Sequence, residues 1–189
     1  MNPILLALML TLAAVPPTVT RMGPVTVTQV PAPHRELKFE VMVPGPRDSV
    51  WTAFTTSAGL ETWLWRDCTV DLRPGGDWVC NYPDGKTGGG RIERYHERKD
   101  ITLHAMAPEW FPTVRRVGTT AAFSFDAVGD STRVRLRQTG WQTGAEWDSA
   151  YAYLAKGNAQ LLGQLRYRFA KGPIDWDAAE KRQASSAAK

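Results

Sequence analysis

The sequence predicts an α+β fold, an antiparallel sheet covered on one face by helices, and three features carry the prediction. Runs of alternating apolar and polar residues recur between turn signals from Glu36 to Thr139. Two short helical patterns interrupt them after the first run. One long amphipathic stretch, Thr143 to Gly172, closes the series. A chain of 189 residues, 43% hydrophobic, suits one domain with tails. The net charge of +4 is spread without a long Lys/Arg run. It is read as solubility, and a polybasic patch for nucleic acid or membrane is set aside.

In chain order, residues 1–15 resemble a signal peptide. Ile4 to Val15 is almost uninterrupted apolar sequence, too short for the ~20 residues of a membrane-spanning helix and suited to an export signal core. No Lys or Arg precedes it, and Pro16-Pro17 crowd the expected cleavage site. The expectation is a periplasmic or secreted protein with no stable membrane span after processing. The alternative is an unprocessed tail on a cytoplasmic protein. Residues 16–35, rich in Pro, Val and Thr, read as an extended linker, with His34 a spacer within it.

The domain is expected over residues 36–173. Glu36 to Val43 is a strand with Leu37, Phe39, Val41 and Val43 inward. Gly45-Pro46 with Asp48 opens a helix whose inner side is Val50, Trp51 and Phe54. Thr56-Ser57 caps a second, with Leu60, Trp63 and Leu64. Thr69–Arg73 and Asp77–Tyr82 flank the turn Pro74-Gly75-Gly76. A Gly-rich loop, Pro83–Gly90, precedes strands at Arg91–Glu97, Ile101–Met106, Gly118–Val128 and Ser131–Thr139, about seven strands in all. In the long helix Trp147, Tyr151, Leu154, Asn158, Leu161, Leu162, Leu165 and Phe169 form one stripe. Thr143 and Glu146 make a capping box, and Gly172-Pro173 ends the helix. Residues 174–189 are expected to be a flexible tail.

Val50-Trp51, Leu60-x-x-Trp63, Asp71-Leu72-Arg73-Pro74-Gly75-Gly76-Asp77-Trp78, Gly90-Arg91-Ile92-Glu93 and Ser131-Thr132-Arg133-Val134 follow one another over about Glu36 to Lys171. In that order they resemble the heat-shock-protein-ninety ATPase activator homologue family of the START-like (SRPBCC) superfamily. The resemblance implies a helix-grip fold, a curved antiparallel sheet wrapped around the C-terminal helix. It leaves activity open, since one fold hosts many functions. The family commonly carries Gly-Trp and then a Leu pair in the last helix. Here Gly157-Asn158 precedes Leu162 and Leu165. The missing indole predicts a cavity with a polar floor. The alternative is that Asn158 bonds a nearby backbone carbonyl or tyrosine hydroxyl and merely fills space.

Motifs for chemistry are few. Gly85-Lys86-Thr87 lacks the upstream Gly and following helix of a phosphate loop. His34, His96 and His104 have no metal-ligand spacing, so no metal or other cofactor is expected. Cys68 and Cys80 bracket a hairpin. They are a cross-strand disulfide in an exported protein or two buried thiols in a cytosolic one, and a Cys–His nucleophile lacks an orienting partner. Asp71, Asp77, Glu93, Asp126 and Glu146 are acid–base candidates by position alone. Arg133, Arg135 and Arg137 alternate on the last strand as a solvated outer face, without the interleaved aromatics of a nucleic-acid reader.

The remaining signal is aromatic. Trp63, Trp65, Trp78, Tyr82, Trp110, Phe111, Phe123, Phe125, Trp141, Trp147, Tyr151 and Tyr153 exceed a tidy core, so several should rim a concavity. The expected partner is a hydrophobic or aromatic small molecule between sheet and helix, bound without turnover. Its expected contacts are Trp63, Trp78, Tyr95, His104, Phe123, Phe125, Tyr151, Leu154, Asn158 and Leu162, with Asn158, Tyr151, His104 and Tyr95 as polar anchors. The alternatives are a cyclase- or hydrolase-like enzyme using the same pocket, as in some START-like proteins, and the chaperone-interaction module that the family resemblance implies.

Overall fold

The order of elements follows the predicted alternation, with additions at both ends. A computed structural model describes residues 15–187, so residues 1–14, which carry most of the signal-like segment, lie outside the described residues. The strands are β1 (Thr18–Met22), β2 (Val25–Val30), β3 (Glu36–Val43), β4 (Cys68–Val70), β5 (Asp77–Asn81), β6 (Thr87–His96), β7 (Asp100–Met106), β8 (Thr119–Val128) and β9 (Ser131–Thr139). The helices are α1 (Arg47–Thr55), α2 (Ser57–Glu61), α3 (Pro112–Val117), α4 (Ala145–Lys171) and α5 (Trp176–Ala187). All nine strands form one antiparallel sheet in the order β1-β2-β3-β9-β8-β7-β6-β5-β4.

Nine strands rather than seven arise because residues 16–35 are not a linker. Val25 and Val27 are fully buried, and Thr26 and Thr28 stand opposite Glu40 and Lys38 of β3. The prolines flank these strands instead of interrupting them, and the Val-Thr alternation supplies a buried face that outweighs the Pro signal. Nor is the C-terminal segment a loose tail. Helix α5 is held by the Trp176 indole N–H, which donates to the Glu61 carbonyl at 2.6 Å, and by Arg66 against Asp177 and Glu180.

Helix α4 lies mainly across β3 and β2. Its buried residues are Trp147, Ala150, Ala155, Ala159, Leu162 and Leu165. The alanines let the helix axis come close to the sheet. The polar stripe Asn158, with Leu154 and Leu161 beside it, is only half-buried. The capping box does not form. Helix α4 starts at Ala145 with Gly144 at its N-cap, and Glu146 instead accepts from the backbone N–H groups of Thr113 (2.6 Å) and Val114 (3.0 Å). It thereby caps α3, a helix the sequence pattern did not reveal.

An aromatic knot fixes α1 to the sheet. Phe54 is surrounded by Trp63, Trp78, Phe123 and Phe125, with ring centroids 4.7 to 5.8 Å away. The Trp63 and Trp78 indoles donate to the Ala53 and Phe54 carbonyls, both at 2.8 Å. These are last-turn carbonyls of α1 that have no partner within their own helix. On the outer face, Arg135 bonds Glu40 and Asp126, and Arg137 bonds Glu36. The arginine ridge is therefore half of a charge ladder with β3 and β8. Burial alone would raise the Glu36 carboxyl, but Lys38 and Arg137 outweigh it and hold its pKa below 4.5.

Candidate functional site

Because α4 covers the β1–β3 side of the sheet, a hollow remains between its other flank and β5–β9. Trp78 of β5, Leu103 and Ala105 of β7, Ala121 and Phe123 of β8, and Leu136 and Gln138 of β9 form its sheet wall. Leu154, Asn158 and Leu161 form the helix wall. The rim is made by Tyr82, Lys86, Thr87, Gly88, Glu109, Trp110 and Tyr153. The cavity volume is about 370 Å³, within the ~300–1,000 Å³ of small-molecule pockets.

Small residues create this space. Gly88, Gly89, Ala105 and Ala121 project little or nothing into it. Gly89 has a φ of +125°, and a Cβ there would stand 2.1 Å from the Trp78 carbonyl oxygen, so only glycine fits at this crossing of β5 and β6. The Gly-rich stretch is thus the start of β6 rather than a loop. A one-turn 3₁₀ helix at Pro83–Gly85 precedes it.

The rim is braced from α3. Arg115 donates to the Ala107 carbonyl at 2.7 Å, to the Thr87 hydroxyl at 2.7 Å and to the Thr87 carbonyl at 3.3 Å. Glu109 lies 3.8 Å from the same guanidinium. Trp110 stacks edge-on against Tyr153 and is 54% exposed at the entrance. Burial, with Tyr153 nearby, pushes the Tyr82 phenol above its ordinary value of 10.0, so it is uncharged at neutral pH.

Deeper in, the polar groups form a chain. The Asn158 side-chain N–H donates to the Gln138 carbonyl oxygen at 2.8 Å, and the Gln138 N–H donates to the Thr119 hydroxyl at 2.8 Å. Gln138 and Thr119 are 3% and 4% exposed. Asn158 thus lines a cavity, and its partner is the Gln138 side chain rather than a backbone carbonyl or a tyrosine hydroxyl.

Of the ten residues expected at the site, Trp78, Phe123, Leu154 and Asn158 line the cavity. Trp63, Phe125 and Leu162 are fully buried in the core beyond it, because the aromatic knot and the underside of α4 claim them. Tyr95 packs near Trp51, with ring centroids 6.5 Å apart. Tyr151 donates its hydroxyl to the Val30 and Glu36 carbonyls, at 3.0 and 2.9 Å, under the Arg35 guanidinium. It ties the β2–β3 connection to α4. His104 alternates with the inward Leu103 and Ala105, so it points to the outer face, 3.9 Å from Glu93. Sequence reasoning missed Leu103, Ala105, Ala121, Leu136 and Gln138. The period-two pattern of β7–β9 could have found them, but it does not say where a helix fails to cover the sheet.

Cys68 and Cys80 stand directly opposite each other across β4 and β5 and are disulfide-bonded. Among the described residues, no three His, Cys, Asp or Glu side chains gather as a metal site, and no helix is long and apolar enough to cross a membrane.

A curved antiparallel sheet gripping a long C-terminal helix, with a cavity between the two, defines a helix-grip protein of the START-like type. The family profile described as "Activator of Hsp90 ATPase homolog 1-like protein" matches residues 44–170, and the chain belongs to that family. Solved structures share the fold at low identity. The Aha1 dimer from Colwellia psychrerythraea is 17% identical, over 72% of this chain and 97% of that one, with a TM-score of 0.59. Protein MLL2253 from Mesorhizobium loti is 16% identical over 74% and 100%, with a TM-score of 0.62. CalU16 from Micromonospora echinospora is 18% identical over 89% and 92%, with a TM-score of 0.55. A comparison of the sequence with curated proteins gives no match.

Proposed function

We propose that this protein holds a hydrophobic or aromatic small molecule in the cavity between the sheet and α4, and that it does so as an exported protein. The observation that carries the binding reading is the cavity itself, about 370 Å³ with mostly apolar walls, a polar pair at Asn158 and Gln138 and a polar rim. Water there would face mostly Leu103, Ala121, Phe123, Leu136 and Leu154. Replacing it with apolar ligand surface is favourable by ~25 cal/mol per Å² buried. Binding is preferred to turnover because Lys86 and Glu109, the chargeable side chains that reach the cavity besides the tyrosines, belong to its exposed rim. His104, expected as a polar anchor for the ligand, lies on the other face of the sheet. Export is supported by the signal-like residues 1–15 and by the Cys68–Cys80 bond, which suits an oxidising compartment.

The test is a titration with Nile red, an uncharged apolar dye. Saturable binding is expected in the native protein, lost in Ala105→Trp, which fills the cavity, and retained in His104→Ala. No saturable binding by a folded native protein would end the reading. Recovery of the chain from a periplasmic or culture fraction, shortened at its N-terminus, tests export. The family description favours a second reading, a chaperone-interaction module. Retention of the heat-shock-protein-ninety chaperone by the immobilised protein would support it.

A further inference from the structure

We infer that the ligand is an uncharged molecule with an apolar body and one hydroxyl or amide group, and that this group seats against Asn158 at the polar end of the cavity. The inference rests on the binding reading above and names the ligand class for that same site.

Asn158 has four hydrogen-bonding positions, two N–H donors and two lone pairs on its carbonyl oxygen. Among the described residues it uses one, the N–H given to Gln138 at 2.8 Å. One donor and the whole carbonyl acceptor remain, on a half-buried side chain that lines the cavity. Turning both amides over preserves the chain from Asn158 through Gln138 to the Thr119 hydroxyl and still leaves Asn158 with a donor and an acceptor to spare. Gln138 holds the amide in place. It is itself buried and anchored at 2.8 Å to Thr119, so Asn158 cannot swing away to find another partner without breaking the chain.

A ligand group that meets this amide must both donate and accept, which a hydroxyl or an amide does. A carboxylate only accepts, and an ammonium only donates. Asn158, Gln138 and Thr119 carry no charge to pair with either, and an unpaired charge buried beside Leu103, Phe123 and Leu136 costs far more than one hydrogen bond returns. An apolar ligand alone would leave the spare donor and acceptor of the amide without water and without a partner.

The test uses three probes of similar shape, 2-naphthol, 2-methylnaphthalene and 2-naphthoate, each titrated against the native protein by quenching of tryptophan emission, with Nile red as the common reference. The expected order is 2-naphthol tighter than 2-methylnaphthalene by about three- to tenfold, the range of one net hydrogen bond, with 2-naphthoate weakest. In Asn158→Leu the preference for the hydroxyl disappears while Nile red still binds, which also reports that the variant is folded. A second variant, Gln138→Leu, reduces the preference by freeing the Asn158 amide. Equal binding of naphthol and methylnaphthalene by the native protein, or tighter binding of the naphthoate, overturns the inference and leaves the binding reading standing. Failure of Nile red to bind the native protein overturns both.

Discussion

Glu146 shows how one side chain can serve a different helix from the one that carries it. Its position three residues after Thr143 fits a capping box, yet its carboxylate reaches across to the first turn of α3. The backbone N–H of Val114, together with that of Thr113, holds the Glu146 pKa below its ordinary value of 4.5. A carboxyl depressed in the folded state contributes stability that is fully present above its unfolded pKa and is lost as pH falls through the folded one. Glu146→Ala is therefore expected to lower the melting temperature at pH 7. The gap from the native protein should narrow as pH falls below 4.5 and through the depressed folded value. Thermal melts at a series of pH values check this, and a gap that is constant or widens toward acid would contradict it. Trp63 and Trp78 illustrate the same point for aromatics: their indole N–H groups are committed to α1 carbonyls. Tryptophan count alone could not separate the buried Trp63 from Trp78, which also reaches the cavity.

At the scale of elements, α4 is set by its alanines. Ala155 and Ala159 are buried where the helix meets the sheet, while the larger Leu154 and Leu161 flank the opening. Ala159→Leu should cost about 1–3 kcal/mol through overpacking, read as a lower urea midpoint, because the helix would have to lift. The rim gives a second prediction. Arg115→Ala removes three charge-assisted hydrogen bonds to Ala107 and Thr87, and should speed amide hydrogen exchange at Gly88 and Gly89 while leaving β2 and β3 unchanged. The extent of α4 and most of β3–β9 were legible because their periods are long. The buried face of α4 was legible only in part, since Ala150, Ala155 and Ala159 are buried while the stripe residues Tyr151, Leu154, Asn158, Leu161 and Phe169 are half-buried. The β1–β2 hairpin was not, because five prolines between residues 16 and 33 mask its Val-Thr alternation. Helix α3 was missed because its six residues complete fewer than two turns. The cavity was legible only in part: the stripe identified Leu154 and Asn158, but which side of the sheet the helix leaves open is a tertiary fact.

For the molecule as a whole, the Cys68–Cys80 bond closes the β4–β5 hairpin at the far edge of the sheet, across a sequence separation of 12. A loop of that size is worth about 2–3 kcal/mol in the unfolded state. Urea unfolding with and without a phosphine reductant should differ by that amount, and native protein should show no thiol to Ellman's reagent. At this scale the fold itself was the most legible feature, since its order of strands, short helices and closing helix is written in consecutive segments. The export reading rests on the sequence pattern of residues 1–15, most of which lie outside the described residues.

The off-centre seat of α4 has a consequence for how such a chain can change. The residues that secure the helix belong mainly to β2 and β3, while the sheet residues that shape the hollow belong to β5–β9, so substitutions at Ala105 or Ala121 reshape the hollow with little effect on what holds the helix down. In a scaffold divided in this way the hollow can change shape one wall at a time.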